Sequence, residues 1–149
     1  MPYAVWIPIV YLVAVTPALV VTDLRVHRLP NRMVVPGIGV GLVAAALQWS
    51  PVPLVAAVTY AGVLLLLGLG GGIGMGDVKL AALLGLASPT PAIAVASPML
   101  AFLLGGVAAS VALIRRGRGA RIAFGPAMLA GYWAALLLST GSGWVAAAP

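Results

Sequence analysis

Asp23 and Asp77 are the only two carboxylate side chains among the 149 residues, and both stand at the edges of long apolar runs, Asp77 within Gly74-Met75-Gly76-Asp77. A carboxylate beside hydrocarbon is costly unless it is paired, protonated or hydrated, so each is a functional residue by default. Two carboxyl groups brought within hydrogen-bonding distance do not both ionise readily; they share a proton and titrate in two separated steps. In such a pair the ionised member takes a proton from water while the protonated member polarises a carbonyl. Peptide hydrolysis by that route needs no metal, thiol or serine. Gly70, Gly71, Gly72, Gly74 and Gly76 would let an extended peptide approach Asp77 with no Cβ in the way. Lys79 follows closely and has two readings, a holder of an acidic substrate group or an interfacial anchor for its helix.

The elements that position these residues are set by composition. With 63% hydrophobic and 7% charged residues the chain lies outside the range of soluble domains. It reads as an all-α, polytopic integral membrane protein, one membrane-embedded domain over residues 1–149. Crossing the hydrocarbon layer takes roughly 20 apolar residues, which allows about six spans: Tyr3 to Thr22, Met33 to Trp49, Leu54 to Gly72, Val78 to Ala87, Ala92 to Ile114 and Ile122 to Thr140. The first run lacks a basic segment before it and reads as a span rather than a cleaved signal peptide.

All eight basic residues fall into three short stretches: Arg25, Arg28 and Arg32 with His27; Lys79 alone; and Arg115, Arg116, Arg118 and Arg121. Two crossings separate each stretch from the next, while the gaps Ser50 to Pro53 and Ser88 to Pro91 carry no charge. By the positive-inside rule this places the three basic loops in the cytoplasm and both termini outside, in a multi-pass protein of the cytoplasmic membrane. The net charge of +6 therefore reports topology and contacts with membrane lipids, and no nucleic-acid partner is expected. Cysteine is absent and His27 is the only imidazole, so neither a metal site nor a cofactor is expected. Trp6, Trp49, Trp133 and Trp144 read as interface anchors.

Prolines at 8, 17, 36 and 126 predict kinks, and Gly37 and Gly41 share a face on which another helix can approach closely. The fourth span is short, about ten residues before Ser88-Pro89-Thr90-Pro91. Either the Gly70 to Gly76 loop dips into the membrane from the cytoplasmic face or the Ser88 turn dips from the other. The first option is the favoured expectation, since irregular backbone at depth must line a wet cavity or be buried in protein.

Three segments together resemble the type IV prepilin peptidases, a family of membrane aspartic proteases. Asp23-Leu24-Arg25-Val26-His27-Arg28-Leu29-Pro30-Asn31 is similar to the family's aspartate, basic and Pro-Asn segment. Gly74-Met75-Gly76-Asp77-Val78-Lys79 matches its Gly-x-Gly-Asp signature with the following lysine, and Phe124-Gly125-Pro126-Ala127 is similar to the segment opening its last span. The resemblance implies Asp23 and Asp77 as the catalytic pair, Gly74, Gly76 and Lys79 as substrate-binding or supporting residues, and prepilin or pseudopilin precursors as substrates, cut at the cytoplasmic face. Longer relatives also methylate the product and carry paired cysteines in a cytoplasmic insertion; this chain has no cysteine and a short early loop, like the single-domain members. The competing reading from the residues is a small proton- or cation-coupled transporter or channel using the two aspartates as a relay.

Overall fold

The computed structural model describes residues 2–71, 73–116 and 123–141. Every regular element among them is helical: a 3-10 turn, Pro2–Val5, then α1 (Trp6–Val26), α2 (Asn31–Gln48), α3 (Val52–Gly68), α4 (Met75–Leu86), α5 (Pro91–Arg116) and α6 (Gly125–Gly141). The six helices coincide with the six expected spans to within a few residues. Three segments, Tyr3–Val26, Asn31–Gln48 and Pro91–Arg115, are long and apolar enough to cross a membrane. Large apolar side chains stand exposed on α1, α2, α3, α5 and α6, among them Val10, Val43, Val58, Leu66, Leu103 and Leu137, the pattern of helices solvated by lipid rather than water. Arg118, Arg121, Trp144 and Gly72 lie outside the described residues.

The short α4 forms the middle of the bundle, packed against α2, α3 and α6, while α1 leans on α2 and α6. Leu80, Ala81, Leu83 and Leu84 of α4 are wholly buried. Glycine makes that packing possible. A Cβ on Gly85 would lie 2.4 Å from the Ala57 backbone of α3, one on Gly37 would lie 2.9 Å from Leu83 Cδ2, and one on Gly41 would lie 2.7 Å from Leu86 Cβ. The face shared by Gly37 and Gly41 is thus the one that receives α4. Two helix hydroxyls are satisfied within their own helix: those of Thr16 and Thr22 donate to the Leu12 and Ala18 carbonyls, each at 2.6 Å. The Tyr11 hydroxyl ties α1 to α2 by donating to the Met33 carbonyl at 2.6 Å.

Two expectations are corrected, and the breaks flanking α4 are told apart. Pro8 and Pro126 stand in the first turns of α1 and α6, where the missing N–H is harmless, and the prolines inside helices are Pro17, Pro36 and Pro98. Trp133 lies in the middle of α6 rather than at an end, and its Nε1–H donates to Thr16 Oγ1 of α1 at 3.2 Å, so it is a packing residue. The break after α4 is the part enclosed by protein: Ala87 and Ser88 are buried, the Ser88 hydroxyl donates to the Leu84 carbonyl, and the Tyr132 hydroxyl of α6 donates to the Ala87 carbonyl at 2.7 Å. Gly70, Gly71 and Gly74 are exposed instead. The Ser88 turn is thus the break that neighbouring helices enclose, and the glycine loop the one they leave open.

This packing predicts unequal responses to adding one methyl group. Gly85→Ala must push α3 from α4 and is expected to weaken the fold by about 2 kcal/mol or more, read as a fall in thermal midpoint of the detergent-solubilised protein. Gly62→Ala, where a Cβ meets nothing within 4 Å, leaves that midpoint within error. Tyr132→Phe strands the Ala87 carbonyl and costs about 1–3 kcal/mol in the same measurement.

Candidate active site

Helix α1 ends where His27 adopts the left-handed conformation (φ 52°), and its N–H donates to the Asp23 carbonyl at 2.8 Å. Asp23 is therefore held one turn before the helix end, inside the helix rather than after it. Pro30 then restricts Leu29 to extended backbone and starts α2 at Asn31. Helix α4 begins after the extended Gly74, with Asp77 in its first turn, where a carboxylate is favoured by the helix dipole.

These starts and stops meet at one end of the bundle around a cavity of about 230 Å³. Asp23, His27, Arg28 and Leu29 line it from the end of α1 and the following loop, Asn31 from α2, and Gly74, Met75, Gly76, Asp77 and Lys79 from the start of α4. Every site residue expected from the sequence thus borders one cavity. Asp23 and Asp77 share it with His27, Arg28 and Lys79. Lys79 Nζ donates to Asn31 Oδ1 at 3.1 Å, joining the starts of α2 and α4.

Asp23 is only 4% exposed, and its principal partner comes from the far end of the chain: the Gly125 N–H of α6 donates to Asp23 Oδ2 at 3.0 Å, across 102 residues. Leu29, 8% exposed, fills the space between the walls, because Cβ atoms on Gly76 and Gly125 would come within 3.3 Å of its Cβ and 3.4 Å of its Cδ2. Gly125 and Leu29 are the supporting residues that sequence reasoning did not select. Their signals were the Phe-Gly-Pro and Leu-Pro-Asn segments, whose roles only packing reveals.

A larger cavity of about 400 Å³ opens between α3 and α5, lined by apolar side chains with Thr59 and Tyr60. It contains no carboxylate, so the acid–base chemistry belongs to the smaller cavity. Tyr60 lines this larger cavity, and its buried hydroxyl has no hydrogen-bond partner among the described residues. No group of three or more metal-ligating side chains occurs among the described residues. The arrangement is a pair of acids, one buried and one half-buried, beside three cationic or imidazole side chains, His27, Arg28 and Lys79, at a polar opening in an apolar bundle.

No curated protein and no solved structure matches the chain. A family profile does, over residues 9–114, more than half of the length and including both aspartates. The protein accordingly belongs to the type IV leader peptidase family.

Proposed function

We propose that the chain is an aspartic endopeptidase that removes the leader peptide of type IV pilin-like precursors, prepilins or pseudopilins, at the cytoplasmic face of the membrane. The observation that carries this reading is that Asp23 and Asp77, the only carboxylates in the sequence, come from separate helices to line one polar cavity. In the proposed reaction one ionised carboxylate takes a proton from water, whose oxygen attacks the scissile carbonyl carbon. The protonated partner gives its proton to the carbonyl oxygen, forming a gem-diol. Collapse of the diol breaks the C–N bond as a proton passes to the leaving amine, and the pair returns to its one-proton state. On this reading the chain makes six passes with both termini outside, which brings the cavity, the segment Arg25 to Arg32 and Lys79 of α4 to the same cytoplasmic side.

Asp23→Asn and Asp77→Asn should each lower leader removal by ~10³-fold or more while both variants accumulate in the membrane, because the two groups act as one unit. Intact-mass analysis of a co-expressed precursor reads the outcome; cleavage that survives either substitution would falsify the dyad. Flux without cleavage, lost in the same variants, would instead favour the transporter reading.

The one-proton requirement fixes the form of the pH profile. For the wild type, kcat/KM should fall on both sides of a maximum, because below it both carboxyls are protonated and no base remains, and above it both are ionised and no acid remains. A rate that rises to a plateau at either extreme would show that only one carboxyl is used.

Lys79→Met separates the two roles of the lysine. If Lys79 holds an acidic group of the precursor, KM should rise about tenfold for precursors with an acidic residue near the scissile bond and stay unchanged for neutralised ones. If its bond to Asn31 only ties α2 to α4, both precursors lose activity equally.

A further inference from the structure

The catalytic reading draws on α1 and α4, and the region matched to the family ends at residue 114. Helix α6, which lies beyond it, nevertheless reaches into the site. Its first residue, Gly125, is buried beside Asp23 and donates its N–H to Oδ2 at 3.0 Å. The first N–H groups of a helix have no partner within that helix, and Pro126 has none to offer, so the Gly125 amide is the donor that the start of α6 presents here. Met128 N–H closes the first turn on the Phe124 carbonyl at 3.1 Å, which fixes where that amide stands.

Space is the second observation. A Cβ on Gly125 would lie 2.6 Å from Asp23 Oδ2 and 3.2 Å from its Cγ. A Cβ at 125 would overlap the carboxylate where it now stands and force it towards the cavity it lines, because the Asp23 backbone is held in a helix whose end is fixed by His27. Leu29 closes the remaining side against the same glycine.

We infer that Gly125 is the positioning residue of the dyad: its N–H fixes one oxygen of Asp23, and its missing side chain admits the carboxyl to the cavity wall. The effect on catalysis rests on the peptidase reading above; the fixing of Asp23 does not. Gly125 touches no reacting atom and acts only through Asp23.

The chain offers an unusually clean test, since protein labelled with ¹³C at the aspartate carboxyl carbon gives signals from two residues only, Asp23 and Asp77. In lipid nanodiscs, Gly125→Ala should move the midpoint of the Asp23 titration by about one pH unit, the scale of losing a hydrogen bond to a charged group. It should lower kcat on a cleaved precursor by ~10²-fold with KM little changed, the scale of a small misplacement of a catalytic group. Gly41→Ala, which meets Leu86 as tightly but in α2 away from the cavity, should leave both carboxyl signals in place. Should Gly125→Ala fail to accumulate, hydrogen exchange decides the matter from the other side. The Gly125 amide should stay protected in Asp23→Asn, which keeps an acceptor, and exchange freely in Asp23→Ala. Unchanged carboxyl signals in Gly125→Ala, or protection that persists in Asp23→Ala, would overturn the inference. If the wild type cleaves no precursor while the titration and exchange behave as expected, the peptidase reading fails and the positioning role stands.

Discussion

Asp23 is a carboxylate near the end of a helix that is otherwise apolar for four turns, buried to 4% exposure. A group of that kind is tolerated only with hydrogen-bond donors or charge nearby, and the chain supplies a backbone amide from the opposite end of the sequence. The N-terminus of α6 must therefore come to the C-terminus of α1, and Trp133 donating to Thr16 keeps the two helices in register further along. Once α1 and α6 are joined, α4 can be held between α6, α2 and α3, and the first turn of α4 is delivered to the same end. The site follows from the requirement to satisfy one buried acid.

Close approach of the backbones is the companion constraint. In lipid no hydrophobic drive gathers helices, so association depends on packing and on a few polar ties. Gly85 against Ala57, and Gly37 and Gly41 against Leu83 and Leu86, bring α4 nearly into backbone contact with its neighbours, while Tyr11 and Tyr132 donate to carbonyls on other segments. A helix of only 12 residues owes its stability in the centre of the bundle to these contacts rather than to its own length.

The six helices were legible because apolar runs and charged interruptions alternate so sharply, and Asp23 and Asp77 because nothing else in the chain is acidic. Gly37 and Gly41 were legible as a packing face by spacing alone. What the sequence did not disclose were matters of three-dimensional neighbourhood. Trp133 is chemically identical to an interface anchor and is distinguished only by having Thr16 within reach. Gly125 is one of 19 glycines, and its importance comes from Asp23, 102 residues away. The two candidate breaks flanking α4 are both rich in glycine or proline, and local propensity cannot say which one neighbouring helices enclose; Tyr132, from another helix, decides it.

That decision bears on how a peptide could reach the dyad. With the glycine loop exposed and Ser88 buried, α4 starts at one end of the bundle and runs into its interior, so Asp77 stands near that end. Under the proposed topology that end faces the cytoplasm, so water reaches the cavity without a channel, which removes the main obstacle to hydrolysis inside a membrane protein. A substrate joined to an apolar segment would not have to draw polar backbone deep into lipid; it would need only to lay a few extended residues against Gly74 and Gly76 beside Asp77. Under the proposed function, the place where the chain breaks its fourth helix and the place where it does its chemistry are therefore two ends of one device. The buried end anchors α4 through Tyr132, so that the exposed end can hold a carboxylate still while its flanking glycines leave room for a peptide.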